Sequence, residues 1–216
     1  FAADSPNSNR TAYVTSDNLA EAKFAAEEIV SQIGDSAEYA VLENPGQSNH
    51  DLRVTALVSY MEDHYPNMKL VGRQATNQDS NAAYRATASI VQANPTLGAI
   101  WIPEAGSAEG AVAAILEAKA DVLIMHADVT PATLEHIKAG NIHMALNPNQ
   151  GMQGFMGFLS VFFAAHSDVF DPFNDYKVSG FNPMQMPYTD NGFAVITKDN
   201  ADSFDLNTYM EGRDPN

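Results

Sequence analysis

The stretch from Ala99 to Pro131, AIWIPEAGSAEGAVAAILEAKADVLIMHADVTP, contains the unit that decides the fold. Ala99–Ile102 and Val122–Met125 are short continuous apolar runs, which are typical of strands covered on both faces of a sheet. Between them, Ser107 is placed to cap a helix that runs to about Ala118. A strand, a helix and a second strand in this order predict a βαβ unit and therefore a parallel sheet.

The same alternation continues in both directions along the chain. Thr130 predicts a helix cap, with Pro131 at the first helical position and Gly140 at the end. Pro172, Gly180 and other breakers predict irregular loop over 168–190. The remaining predicted strands are 12–14, 39–42, 70–73, 142–146 and 193–197, and the remaining helices are 18–33, 50–65, 81–93 and 152–165. The chain is therefore expected to be an α/β protein with a doubly wound parallel sheet.

Composition and charge exclude several classes of function. The 216 residues carry 11 Lys and Arg against 27 Asp and Glu, which gives a formal net charge of −16. Such a chain offers no basic surface for nucleic acid or anionic lipid, so no nucleic-acid partner is expected. The absence of cysteine excludes disulfides and Cys-ligated zinc. No apolar run reaches the roughly 18 residues that a membrane-spanning helix needs.

Polar side chains gather in the loops that follow the predicted strands. In an open parallel sheet, ligands bind at the carboxyl ends of the strands, which selects the loops 44–49, 75–80, 103–107, 126–130 and 147–153. Their content is mainly neutral amides with a few carboxylates, a mixture that can pair with several hydroxyls at once. A sugar or polyol is therefore the expected ligand. The predicted contact residues are Asn49, Arg53, Asn77, Glu104, Asp128, Asn147 and Asn149.

Each candidate residue also has a purely structural interpretation. Glu104 and Asp128 could cap the helices that follow them, and Arg53 could be an exposed helix charge or a partner of Asp51. His126 shares a loop with Asp128, but no third ligand stands at useful spacing, so no metal and no cofactor are expected. The stretch 106–110 only superficially resembles a nucleophile elbow, so no catalytic residue is assigned.

The order of these pieces resembles the type 1 periplasmic sugar-binding proteins, the family like ribose-binding protein that serves ABC importers. The similar segments are Asp4–Arg10, Tyr13–Asn18, Asn44–Asn49 with Arg53 behind it, Ala99–Ile102, Ala127–Pro131, Gln153–Phe155 and Phe193–Asn200. Their order and spacing, rather than any single motif, carry the resemblance.

The resemblance implies a two-lobed architecture of which this chain supplies the carboxyl-terminal lobe and lacks the first. Under it, 1–10 is the hinge crossover, 11–146 is the ligand-binding lobe and 193–216 is the final strand and tail. Residues 147–192 would be the hinge return, with a helix and loop that pack on the absent lobe. That helix is rich in Met and Phe, so the chain by itself is expected to self-associate.

Carried over residue by residue, the resemblance places Arg53, Glu104 and Asp128 in the ligand cleft, with Asn147 and Asn149 in the hinge. It implies a solute-binding component of a sugar or polyol importer that performs no chemistry, works with a membrane permease and resides in the periplasm or another extracytoplasmic space. Two alternatives stay open: the effector domain of a LacI-type transcription regulator, and a small α/β enzyme that uses Asp128 and Glu104 as an acid/base pair.

Overall fold

A computed structural model describes residues 2–10, 12–166 and 187–204 of the chain. The strands are β1 (Tyr13–Thr15), β2 (Glu38–Glu43), β3 (Lys69–Ala75), β4 (Leu97–Ile102), β5 (Leu123–Ala127), β6 (Met144–Pro148), β7 (Tyr188–Asp190) and β8 (Phe193–Thr197). The helices are α1 (Asn18–Ile33), α2 (Ser48–His64), α3 (Ser80–Ala93), α4 (Ala108–Ala118), α5 (Pro131–Ala139) and α6 (Gln150–Ala165), and a 3-10 turn spans Ala201–Phe204. Strands and helices alternate from β1 to α6, which confirms the predicted α/β class.

The chain divides into two compact units. The larger unit comprises Asn18–Asn147 and Ala194–Asn216, and the smaller one comprises Phe1–Asp17 and Pro148–Phe193. Within the described residues, the main sheet has the strand order β3-β2-β4-β5-β6-β8. The neighbouring strands from β3 to β6 run parallel. The predicted parallel sheet is thus present, with helices in the connections between its strands.

The core of the larger unit lies where the apolar strands meet the helices. Ile100, Ile102 and Ile124 are buried in one cluster with residues of α3, α4 and α5. Trp101 is fully buried near the carboxyl end of β4. Burying side chains of this size stabilises the fold by roughly 1.5–3 kcal/mol each.

Helices α3 and α4 approach each other closely at Gly110. A Cβ atom built on Gly110 would lie 1.9 Å from the carbonyl oxygen of Ser80, which is backbone and cannot rotate away. A glycine is therefore required at this position, because any side chain would push the two helices apart.

The smaller unit holds β1, β7 and α6. Strand β1 pairs in parallel with β7, with Tyr13 opposite Tyr188 and Thr15 opposite Asp190, so it lies outside the main sheet. Strand β1 is therefore grouped with β7, whereas the predicted ligand-binding lobe began at residue 11 and included β1. Alternation of strands and helices along the sequence could not reveal this, because β1 has its partner strand 175 positions away.

Several boundaries differ from the predicted ones. Helix α2 begins at Ser48, and β6 extends to Pro148, so Asn147 lies within a strand instead of a hinge loop. Ser107 is the N-cap residue of α4 as predicted, but its side chain makes no capping bond and its hydroxyl lies 2.7 Å from Thr76 Oγ1. The Thr130 cap, with Pro131 and Gly140, is confirmed. The predicted irregular loop over 168–190 is wrong at its end, since Tyr188–Asp190 forms β7 by pairing with β1. The rest of that loop, up to residue 186, and the tail beyond 204 lie outside the described residues.

None of the helices within the described ranges has the length and apolar character that crossing a membrane requires.

Candidate ligand-binding site

The candidate site lies where the order of the main sheet reverses. From β2, the chain adds β3 on one side and β4 on the other, which leaves a crevice outside the carboxyl ends of β2 and β4. Helix α2 follows β2 and carries Arg53, whereas Pro103 and Glu104 follow β4 directly. The fold therefore brings together two segments that stand about 50 residues apart in sequence.

Arg53 spans this crevice. Its Nη1 donates a hydrogen bond to the carbonyl oxygen of Pro103 at 3.0 Å and lies 3.7 Å from Oδ2 of Asp128. Its Nε donates to Oε2 of Glu21 on α1 at 2.5 Å. The Arg53 side chain is only 2% exposed. Arg53 is therefore a buried cation that ties the segments after β2, β4 and β5 to helix α1, and not the exposed helix charge considered from the sequence.

Glu104 lies at the same crevice and is 1% exposed. Its Oε2 accepts the backbone N–H of Ser107 at 3.1 Å, so it does cap the start of the following helix. Its Oε1 is buried and has no hydrogen-bond partner among the described residues. Burial raises the pKa of Glu104, opposed by hydrogen bonds from Ser107 and Gly106, and the nearby charge of Asp128 raises it further. Oε2 of Glu104 thus caps the following helix, while Oε1 can still accept hydrogen bonds.

Asp128 begins the loop after β5 in an unusual backbone conformation. Its φ angle is +63°, a left-handed value that aspartate tolerates better than most residues. The backbone N–H donates to the carbonyl of Leu146 at 2.9 Å, which fixes this conformation against β6. Burial raises the pKa of Asp128, and the guanidinium of Arg53 opposes that shift. The side chain remains 26% exposed, so a ligand can reach it.

Two of the predicted amide residues adjoin this cluster. Asn49 lies one helical turn before Arg53 on α2, and Asn147 follows Leu146, which pairs with Ala127 on β5. In both asparagines the side-chain Oδ1 is buried and has no hydrogen-bond partner within the described part of the chain. Buried polar atoms are normally paired, so these two oxygens keep acceptor capacity that the described residues do not use.

The other two predicted amides make local backbone contacts. Asn77 is exposed in the loop after β3, with a φ of +53°, and its backbone N–H bonds to the carbonyl of Glu43. Asn149 belongs to the smaller unit, where its Oδ1 accepts the N–H of Met152 and caps α6. The structure therefore gathers Arg53, Glu104 and Asp128 in direct or electrostatic contact, while Asn77 and Asn149 have local backbone roles.

Three buried residues of the site were not predicted from the sequence. Glu21 is fully buried and pairs with Arg53. Its spacing of four residues from Ala25 and eight from Ile29, on the buried face of α1, was the available signal. The other two residues are His50, which accepts from the Asn44 amide at 2.8 Å, and His126, whose Nδ1 faces the carbonyl of Ala127 at 3.0 Å.

Both histidines are neutral near pH 7. Burial lowers the pKa of His126 to about 4. Burial and the charge of Arg53 lower the pKa of His50 to about 4, against a smaller opposing effect of Asp51. Among the described residues, no three His, Asp or Glu side chains come together in a group that could hold a metal ion. The site therefore consists of carboxyl groups, amides and a guanidinium that is already paired within the chain. Such groups are suited to hydrogen bonding.

Comparison with known proteins places this geometry in a family. A family model described as a periplasmic binding protein domain matches residues 1–164. A D-apiose import binding protein from Actinobacillus succinogenes is 29% identical over 129 residues, which is 59% of this chain and 41% of that protein. The chain thus matches about two fifths of the length of this curated relative.

Solved structures show the same fold. An arabinose-binding protein from Geobacillus stearothermophilus superposes with a TM-score of 0.79 at 24% identity, over 92% of this chain and 67% of that one. An ABC transporter periplasmic solute-binding protein from Actinobacillus succinogenes, solved with bound D-allose, superposes with a TM-score of 0.73 at 22% identity, over 89% and 63%. With its match over three quarters of the sequence, the chain belongs to the periplasmic binding protein domain family.

Proposed function

We propose that the chain supplies a ligand-binding lobe of a solute-binding protein for a sugar or polyol importer. One observation carries the proposal: Arg53, Glu104 and Asp128 meet at the crevice outside β2 and β4, where a buried carboxylate oxygen of Glu104 has no partner among the described residues. The relatives whose names refer to apiose and arabinose binding support the same ligand class.

The chemistry of the cluster fits a polyhydroxylated ligand. Glu104 and Asp128 can accept hydrogen bonds from ligand hydroxyls, and bonds to charged acceptors contribute about 1.5–3 kcal/mol each. The carboxamides of Asn49 and Asn147 can both donate and accept. Because Arg53 is held by Glu21 and Pro103, it orders the crevice in advance and lowers the entropy cost of binding. Predicted contacts from Asn77 and Asn149 remain part of the proposal.

No chemistry on the ligand is part of this function. The relatives named above are described as binding proteins, and one of them as a periplasmic protein of an ABC transporter, which supports an extracytoplasmic location and a membrane permease as partner. We infer that a second lobe closes over the ligand through the hinge segments 1–10 and 147–192, and that the closed form is what the permease recognises.

A ligand panel tests this function directly. Thermal shift and calorimetry with D-apiose, D-arabinose and D-allose should reveal at least one that stabilises the chain, and Asp128→Ala should weaken its binding by about 1–3 kcal/mol, or roughly 5- to 150-fold. Asp63→Ala, at the exposed last turn of α2, is the matched control and should bind normally. Loss of affinity in both variants, or conversion of the sugar observed by NMR, would contradict the proposal.

A further inference from the structure

The charges at the candidate site do not balance. Glu21, Arg53, Glu104 and Asp128 contribute three carboxyl groups and one guanidinium to one buried region. The guanidinium Nε is 2.5 Å from Glu21, whereas Nη1 is 3.7 Å from Asp128, so the closer ion pair is with Glu21. The guanidinium is therefore paired closely with Glu21 and more distantly with Asp128, and one positive charge stands against three carboxyl groups.

Within the described residues, the two histidines of the site add no further positive charge near pH 7. The imidazoles nearest to the cluster, His50 and His126, are neutral near pH 7 because burial lowers the pKa of each to about 4. The hydrogen bonds to Glu104 come from the neutral donors Ser107 and Gly106. The Oε1 atom of Glu104, in a side chain that is 99% buried, has no partner within the described residues. Burial raises the pKa of both Glu104 and Asp128, so a positive charge supplied by a ligand beside them would stabilise their ionised forms.

We propose that the site selects polyhydroxylated ligands that also carry a protonated nitrogen, such as amino sugars or amino polyols, with Glu104 and Asp128 as the residues that hold that nitrogen. This inference rests on the proposed function and narrows its ligand class. An ammonium group donates charge-assisted hydrogen bonds to both carboxylates, which are about twice as strong as bonds between neutral groups. It also supplies the counter-charge that the cluster lacks.

The same electrostatics discriminate against two other ligand classes. A neutral sugar can donate a hydroxyl hydrogen bond to Oε1 of Glu104, but it brings no positive charge to the two carboxyl groups. A sugar acid or sugar phosphate would add negative charge beside Glu104 and Asp128 while Arg53 remains paired with Glu21. At short range and in a low-dielectric crevice, this repulsion is large. Affinity is therefore expected to fall from the amino sugar to the neutral sugar and from the neutral sugar to the sugar acid.

Matched sugars test this order on the 216-residue chain. Glucosamine, galactosamine and mannosamine are titrated against glucose, galactose and mannose, with glucuronate and galacturonate as the anionic members. The titrations are followed by NMR at about pH 6.5, below the ordinary range of such amines. At least one amino sugar should bind about tenfold or more tightly than its neutral parent, and the acids should bind more weakly than both. Equal or weaker binding of every amino sugar overturns the inference.

Two variants identify the residue responsible. Glu104→Gln keeps the shape and removes one charge, so it should reduce the ratio of amino to neutral affinity to near one. Glu109→Gln, an exposed carboxylate five positions later, changes the net charge equally and should leave the ratio unchanged. If Glu104→Gln does not fold, Asp128→Asn is used, and a ratio unchanged in the folded variant overturns the inference.

The two proposals fail in distinguishable ways. Neutral sugars that bind without a preference for the amine would leave the proposed function in place and remove this inference. If no member of this panel or of the apiose, arabinose and allose panel binds, both proposals fail.

Discussion

Nε of Arg53 lies 2.5 Å from Oε2 of Glu21, and the two side chains are 2% and 0% exposed. This buried ion pair joins α1 to α2 and directs the rest of the guanidinium towards Pro103 and Asp128. The pair therefore belongs to the architecture of the candidate site, although the two residues lie 32 positions apart in the sequence.

Removing one member of this pair should destabilise the chain severely. Glu21→Ala leaves the Arg53 charge buried without its counter-ion, which typically costs about 3–5 kcal/mol. Urea denaturation should show this loss in the free energy of unfolding. Glu135→Ala, which breaks an ion pair whose glutamate side chain is 70% exposed, is the matched control and should cost less than about 1 kcal/mol. Similar small losses in both variants would contradict a stabilising role for the buried pair.

The buried imidazole of His126 should make stability depend on pH. Burial lowers the pKa of His126 from 6.5 to about 4. Between these two pH values, the imidazole is therefore protonated in the unfolded chain and neutral in the folded chain. Stability from this residue is therefore complete above about pH 6.5 and falls as the pH drops to about 4, by roughly 3 kcal/mol at most. His126→Asn should flatten this slope in urea titrations. His64→Asn, at an exposed position, is the control for the substitution itself.

The carboxyl group of Glu104 contributes a slope of the opposite sign. Because burial raises its pKa, the folded chain holds a proton that the unfolded chain releases, so this contribution to stability falls as the pH rises above the ordinary glutamate value. The His126→Asn measurement is therefore read as a difference from the wild-type chain at each pH. An unchanged difference across the window would contradict the assignment to His126.

The close approach of α3 and α4 predicts opposite effects of alanine at two helical glycines. Gly110→Ala places a Cβ atom 1.9 Å from the Ser80 carbonyl, so a loss of about 1–3 kcal/mol or more is expected from forced backbone movement. Gly154→Ala meets no atom within 4 Å and should instead stabilise α6 by about 0.5–1 kcal/mol. Thermal denaturation of the two variants gives the comparison, and stabilisation by Gly110→Ala would contradict the described packing.

The exposed apolar stripe of α6 should drive self-association. Met152, Phe155, Phe158 and Val161 follow one another at a spacing of three residues and are 43% to 69% exposed. Exposed stripes of this kind tend to be covered by a partner surface. Light scattering should show a mass above that of one chain, rising with concentration, and Phe155→Gln with Phe158→Gln should lower it. Leu116→Gln, an exposed leucine of α4, is the control; a monomer at all concentrations would contradict the prediction.

The sequence predicts most of the fold because its periodicity reports local structure. Helix α1 was predicted with the bounds that the structure has. The strands of the main sheet differ from their predicted bounds by only a few residues. The pairing of β1 with β7 could not be predicted, since it depends on contacts between distant segments. Three charged site residues were predicted from their places after strands, but Glu21 was not, because its role depends on where α1 packs against α2.

The most direct test of the account is an NMR titration of the isotopically labelled chain with D-apiose, D-arabinose and D-allose. The account predicts saturable shifts of the backbone amides of Glu104, Ser107 and Asp128 for at least one sugar, and their loss in Asp128→Ala. A polar cavity of about 340 Å³, lined by Gly98, Asp121, Asn141 and His143, lies at the opposite edge of the sheet and provides the internal comparison. Shifts confined to that edge, or no saturable shift with any of the three sugars, would contradict the account.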